Sequence, residues 1–274
     1  MRIALESGDS FLYISCQYFK SWALLLLGQW GEALNLVNES IQLSERNGHG
    51  TAVTLLRVMQ ARLHTQARDF AAALRICQQT LIRARDGSPR FLTMIVLGEA
   101  HLGLGELDLA MECFDEVMER SQNGHLRLDW IFHLPLYLGR SELWLRRAEH
   151  DRAREDALHL CELAGQSGQK TYFALGWRQL AEIALAEGDL RQAQSEIRLA
   201  LDAMEGVEAP LAEWRVLATA AELAEQLDRK DEAASYRARF TTCIETLASS
   251  LAAHEPLRQA FLQAFDRAAA GSQT

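Results

Sequence analysis

A turn signal that returns about every forty residues constrains this 274-residue chain more than any other feature. It is clearest between Trp177 and Ala200, in the stretch WRQLAEIALAEGDLRQAQSEIRLA. Apolar residues recur there at intervals of three and four on both sides of Gly188-Asp189, as two amphipathic helices require. Gly188 suits the left-handed position that closes a helix, and Asp189 suits the N-cap of the next. Small residues (Ala181, Ala184, Ala193) fall where the helices must touch, while Trp177, Leu180 and Ile197 supply bulk. The same turn position can be followed along the chain through Gly28, Arg68, Gly105, Ala148, Gly188 and Asp228, in steps of 40, 37, 43, 40 and 40 residues. Six helical hairpins follow from this spacing.

Composition agrees with an all-α chain. Strong helix formers dominate, only four prolines are present, and no β-branched run alternates with period two. Helices are expected near 9–27, 30–46, 50–66, 69–85, 89–103, 106–121, 126–147, 150–164, 169–187, 190–205, 210–226 and 230–250. Between hairpins lie turn-forming residues: Asn47-Gly48, Asp86-Gly87-Ser88-Pro89, Asn123-Gly124, Gly165 to Gly168, and Glu208-Ala209-Pro210. Glu255-Pro256 opens a further helix, 257–270, with proline at its first position. Gly271 to Thr274 should fray.

The hairpins resemble tetratricopeptide repeats, whose pattern runs W-x2-L-G/A-x2-Y, then G-x-Y/F/L, then A-x3-F. Each unit here is about six residues longer than the usual unit of roughly 34, enough to lengthen its helices by a turn or so. The resemblance implies a right-handed superhelix of about six hairpins plus a C-terminal capping helix. On this reading residues 1–274 form a single solenoid domain. Residues 1–8 are expected to be the tail of a preceding repeat, because Glu6-Ser7-Gly8 sits one step before Arg46-Asn47-Gly48; the alternative is an ordinary N-terminal turn. Residues 254–270 are the cap, expected over the sixth hairpin, and the chain is a fragment of a longer protein.

The count raises one problem of register. In the third, fifth and sixth hairpins it lands on Met94, Leu97 and Gly98, on Trp177, Leu180 and Ala181, and on Leu217, Ala220 and Ala221. In the first two it lands on Gln17 and Lys20, and on Arg57 and Gln60. Burying these without partners is costly. A shift by one gives Cys16 and Phe19, and Leu56 and Met59, so a turn longer by one residue is expected there. Pro135 and Gly139 make the first helix of the fourth hairpin irregular.

First helices of such hairpins line the inner face of a solenoid. The position after the small residue should face that groove, which singles out Glu99, Glu182, Glu222 and Glu142. Arg178 and Arg215 project nearby. A glutamate ladder interrupted by arginine suits a peptide with basic side chains. Equally, Arg178 can neutralise Glu182 one turn on.

Catalytic patterns are missing from the sequence. The eight histidines make no H-E-x-x-H, so no metal site is expected. Gly103-Leu104-Gly105 lacks both a preceding strand and a third glycine, and reads as a helix turn. His101, Trp30 and Trp177 fall at repeat packing positions, whereas Trp130, Trp144 and Trp214 are less constrained. No cofactor is expected. The net charge of −9 argues against nucleic acid as a direct ligand. The five cysteines are scattered, as buried thiols in a reducing compartment are, and no apolar run is long enough for a bilayer. Cytoplasmic location is the expectation.

The forty-residue hairpins also look like the sensor region of bacterial LuxR-type ATP-dependent activators related to the maltose-regulon activator, and of tetratricopeptide signal-transduction ATPases or cyclases. This similarity covers residues 9–250 at the level of repeat pattern. In that family the solenoid lies between a nucleotide-binding module and an effector domain and binds an inducer or an inhibitory protein. The expected function is therefore a non-catalytic scaffold of a signalling or transcription-regulatory protein, with a protein or peptide segment in its groove. The alternative is a small-molecule inducer sensor.

Overall fold

In the computed structural model, residues 9–85, 87–121 and 129–271 are described. The expected tail of a preceding repeat, the Asn123-Gly124 turn, Asp86 and the side chain of Trp130 lie outside them. Thirteen α-helices and no strand are found among the described residues. They are α1 (Ser10–Leu26), α2 (Trp30–Arg46), α3 (Gly50–Gln66), α4 (Phe70–Leu81), α5 (Gly87–Gly103), α6 (Leu107–Ser121), α7 (Asp129–Arg146), α8 (His150–Ser167), α9 (Lys170–Ala186), α10 (Leu190–Ala203), α11 (Pro210–Gln226), α12 (Lys230–Ser250) and α13 (Glu255–Gly271). Proline at position 135 is carried inside α7, which runs through it as one helix.

All six hairpin turns share one geometry. Gly28, Arg68, Gly105, Ala148, Gly188 and Asp228 each have positive φ, between 55° and 79°. The amide that follows reaches back to a carbonyl five residues earlier, as Gln29 does to Leu24, Asp69 to His64, Asp189 to Ala184 and Arg229 to Ala224. This double closure satisfies the orphan carbonyls at a helix end. Asp69 and Asp189 then cap the next helix by accepting from the amides of Ala72 and Gln192.

The extra turn residue expected in the first two hairpins is absent. Phe19 is 57% exposed and Gln17 is 5% exposed, so α1 keeps the unshifted register. The polar residues at those positions find partners. Gln17 donates to the Tyr13 hydroxyl at 2.7 Å, and Lys20 reaches Glu32 at 2.9 Å. On α3, Arg57 donates to Glu45 at 3.1 Å and Gln60 to Asn38 at 2.9 Å. Leu56 and Met59 are buried with no change of turn, because α3 packs on more than one side and Ala61 is buried as well.

The residues group into two compact units where the sequence reads as one domain. One holds Met1–Gly124 with Leu247–Thr274, the other His125–Thr246. Within the first unit each helix from α1 to α6 packs on its successor, and the first helices α1, α3 and α5 lie side by side. The second unit repeats this scheme from α7 to α11, with α7, α9 and α11 adjacent. Small residues permit the close approaches. A Cβ on Gly98 would stand 2.5 Å from the Phe114 ring, and one on Gly176 would stand 2.6 Å from the Cys161 sulfur. Ala181, Ala184, Ala193 and Ala200 are fully buried.

The C-terminal helix differs from expectation in its partner. The sequence places it over the sixth hairpin; within the first unit it packs against the first. Phe261 and Trp30, both fully buried, pack edge to face at 5.2 Å between ring centroids. Phe265 stands behind Phe261 at 5.1 Å, and the Arg68 guanidinium lies 5.9 Å from the Phe265 ring. Gly31 makes room here, since a Cβ there would collide with the Ser250 carbonyl. A large aromatic at the start of α2, beside a glycine, is what draws this segment in.

Candidate functional site

Because the six turns are equivalent, residues at equal distance before them are equivalent too. The small residue seven places before the turn is Ser21, Ala61, Gly98, Ser141, Ala181 or Ala221. The next residue is Trp22, Arg62, Glu99, Glu142, Glu182 or Glu222. One repeat position thus carries a large aromatic or charged side chain in every hairpin. Side-by-side packing of first helices makes it a stripe within each unit.

In the first unit the stripe is Trp22, Arg62 and Glu99 on α1, α3 and α5. Arg62 is only 2% exposed. Its guanidinium lies 5.3 Å from the centroid of the Trp22 ring and donates to Glu99 Oε1 at 3.4 Å. Burial pushes the Tyr18 hydroxyl above its ordinary pKa, and the Arg62 charge opposes that. Glu99 is therefore not an open carboxylate facing a groove; it is the counter-charge of a buried arginine. The sequence reading missed Trp22 and Arg62. The unshifted turn count is the signal that finds them.

In the second unit the stripe is Glu142, Glu182 and Glu222 on α7, α9 and α11. Arg178 pairs with Glu182 one turn on along the same helix, and its Nε donates to the Thr219 hydroxyl of α11 at 3.2 Å. That hydroxyl lies 3.2 Å from both Glu182 Oε1 and the Arg215 carbonyl. Glu142 accepts from Arg146 at 2.5 Å, and Glu222 accepts from Gln226 at 3.5 Å. Burial raises the Glu182 pKa most; Arg178 opposes this, and the carboxylates of Glu142 and Glu222 add to it. Three carboxylates on neighbouring helices thus feel one another. Arg215 turns back to donate to the Leu211 carbonyl at 2.6 Å, with its guanidinium 4.1 Å from the Trp214 ring centroid. Gln179 stands where Thr219 stands one hairpin later, fully buried, and neither end of its amide has a hydrogen-bond partner.

Other candidates are absorbed by structure. Trp144 donates to Asp156 at 3.0 Å, Arg140 reaches the same oxygen at 3.0 Å, and both Trp144 and Trp214 are buried. His101 pairs with Glu106 at 2.6 Å and His64 with Asp69 at 3.0 Å, each across a hairpin turn. Burial pushes the Cys77, Cys113 and Cys161 thiols up to about 12 and that of Cys243 to about 11. Burial thus favours the protonated thiol over the thiolate at all four. Among the described residues no group of three acidic, histidine or cysteine side chains is placed to hold a metal ion, and no helix is long and apolar enough to cross a membrane.

The tetratricopeptide repeat model matches residues 93–123, the third hairpin. The crystal structure of BtubC (BKLC) from P. vanneervenii superposes with a TM-score of 0.55 at 14% identity, covering 77% of this chain and 89% of that one. A tetratricopeptide repeat protein from Parabacteroides merdae gives a TM-score of 0.51 at 14% identity, covering 90% and 97%. The fold is an all-α helical repeat of the tetratricopeptide kind. No curated protein sequence matches the chain. Such repeats generally serve as interaction scaffolds.

Proposed function

We propose that this chain is a non-catalytic scaffold that holds a protein or peptide segment along its first-helix faces. The observation that carries the reading is the stripe within each unit, Trp22, Arg62 and Glu99 in the first and Glu142, Glu182 and Glu222 in the second. In the second unit Glu182 and Glu142 each have an arginine, whereas among the described residues Glu222 accepts from the Gln226 amide and has no arginine within ion-pair distance. A basic side chain of the bound segment meets Glu222 there, and its neighbours share the charge. The repeat pattern supports placing the scaffold in a bacterial signalling or transcription-regulatory protein, and the scattered buried thiols suit a cytoplasmic one.

The test is binding of lysine- and arginine-containing peptides to the 274-residue chain. Glu182→Lys and Glu222→Lys should each weaken it by about tenfold, the effect of about 1.4 kcal/mol. If affinity is unchanged by both, the stripe is a solvated helix face and the reading fails. A metabolite that raises the melting temperature in a dose-dependent way, with no peptide bound, supports an inducer sensor instead.

A further inference from the structure

Away from the stripe, α10, α11 and α12 line an open hollow of about 620 Å³ in the second unit. Its lining mixes apolar side chains, Leu201 and Leu227 with the buried Ile197 and Leu223 behind them, with the polar Gln194 and Glu232. Past Leu201 and Tyr236 it continues into a second hollow of about 240 Å³ beside Met204 and Val207. Together the two run the length of α10, roughly 21 Å at the α-helical rise. The shape is a trough rather than a closed pocket.

The trough carries positive charge along its α10 edge, while Glu232 and Glu213 on its other side are paired with Arg229 and Arg239. Arg191 and Arg198 lie two turns apart on one stripe of α10, and Arg229 enters from the turn between α11 and α12. Arg191 and Arg198 are exposed, and neither has a carboxylate within ion-pair distance among the described residues. Arg229 faces the Gln194 amide at 2.7 Å and reaches Glu232 only at 3.5 Å. Most other arginines of this acidic chain are paired, as Arg57, Arg62, Arg140, Arg154 and Arg178 are. The guanidinium groups of Arg191 and Arg198, beside a trough floored in part by leucine, are complementary to carboxylates carried on an apolar body.

We infer that the trough between α10 and α12 is a docking site for an acidic amphipathic helix of a partner protein. The apolar stripe of that helix lies on Leu201, Leu223 and Leu227. Carboxylates two turns apart on it meet Arg191 and Arg198, the spacing that one helix face offers another. The site is separate from the first-helix stripe and does not depend on what that stripe binds.

The probe is a fluorescein-labelled pool of 16-residue peptides with leucine at helical core positions and glutamate flanking them, compared with the same pool carrying lysine for glutamate. Anisotropy on the full chain should show binding of the glutamate pool only, weakening as salt is raised. Arg191→Glu with Arg198→Glu should reduce affinity by about tenfold or more. Circular dichroism checks that the variant keeps its fold, and Leu201→Glu provides a second variant that fills the floor with charge. Equal binding of the two pools, or unchanged affinity in both variants, overturns the inference. Loss of binding in Glu222→Lys but not in the arginine variant also overturns it by moving the site to the first-helix stripe. Inorganic pyrophosphate raising the melting temperature while the peptides fail assigns the arginines to a small anion. Self-association abolished by Arg198→Glu assigns the trough to a second copy of this chain.

Discussion

Arg62 on α3 and Glu99 on α5 hold the same place in successive hairpins, thirty-seven residues apart, and their side chains meet at 3.4 Å. The step between them equals the step between their turns, Arg68 and Gly105, so the contact reports the repeat register directly. It also fixes the sign of charge each can tolerate, because Arg62 is almost wholly buried beneath Trp22.

Removing one member of such a pair leaves a buried charge behind. Arg62→Ala should cost about 3–5 kcal/mol, since Glu99 loses its cation in a place water reaches poorly. Arg62→Met combined with Glu99→Leu should recover most of that loss. Urea unfolding of the single and double variants gives the coupling energy. A single-variant cost below about 1 kcal/mol would mean that solvent screens the pair as it does at a surface.

The turn at Ala148 offers a cleaner test of the repeat geometry. Ala148 has φ of 57°, where an L-residue with a Cβ is strained by about 1–2 kcal/mol. Ala148→Gly relieves this, and the greater freedom of glycine in the unfolded chain takes back about 0.4–1 kcal/mol. A net gain of about 0.5–1 kcal/mol is expected, with Gly188→Ala losing a similar amount. Thermal unfolding of both variants decides it. Equal melting temperatures for Ala148→Gly and the natural chain would show the turn to be unstrained.

These turns mark how far residue patterns carry. The hairpin count, the turn positions and the helix bounds to within a few residues are all legible, because left-handed closures and apolar spacing are local properties. The register of the first two hairpins is hidden because Gln17, Lys20, Arg57 and Gln60 are polar residues at packing positions. Their partners, Tyr13, Glu32, Glu45 and Asn38, are four to twenty-two residues away, and spacing alone does not reveal such pairs. Trusting the count would have placed Trp22 and Arg62 in the stripe with the four glutamates. The seat of the C-terminal helix was invisible for another reason. Phe261 and Trp30 are joined only by tertiary packing.

Gln179 carries a buried amide with neither end hydrogen-bonded. An unsatisfied buried polar group costs about 1–3 kcal/mol, and an apolar side chain of similar volume escapes that cost. Gln179→Leu should therefore raise the melting temperature by a few degrees, at roughly 2–4 °C per kcal/mol for a chain of this size. A fall in melting temperature would show that the amide has a partner in solution, and bound water beside Glu142 or Glu182 would be the first place to look.

Glu182 makes stability depend on pH in a sense opposite to that of an ordinary paired carboxylate. Burial and the neighbouring carboxylates of Glu142 and Glu222 raise its folded pKa, and Arg178 with Thr219 only partly offsets them. The folded protein therefore holds the Glu182 proton more tightly than the unfolded chain, whose glutamates titrate near 4.3. Between those two values the native state binds more protons, so stability falls as pH rises. The contribution is fully present below the unfolded value and lost as pH climbs through the folded one. Glu182→Gln has no proton to lose there. Its stability relative to the natural chain should grow from about pH 4 upward and level off once Glu182 is ionised. Urea unfolding across that range measures the difference at each pH. A difference that stays flat, or shrinks as pH rises, would mean that attraction to Arg178 outweighs burial. Glu182 would then be an ordinary ion-paired carboxylate, and the stripe in the second unit would lose the mutual repulsion that makes it receptive to a basic side chain.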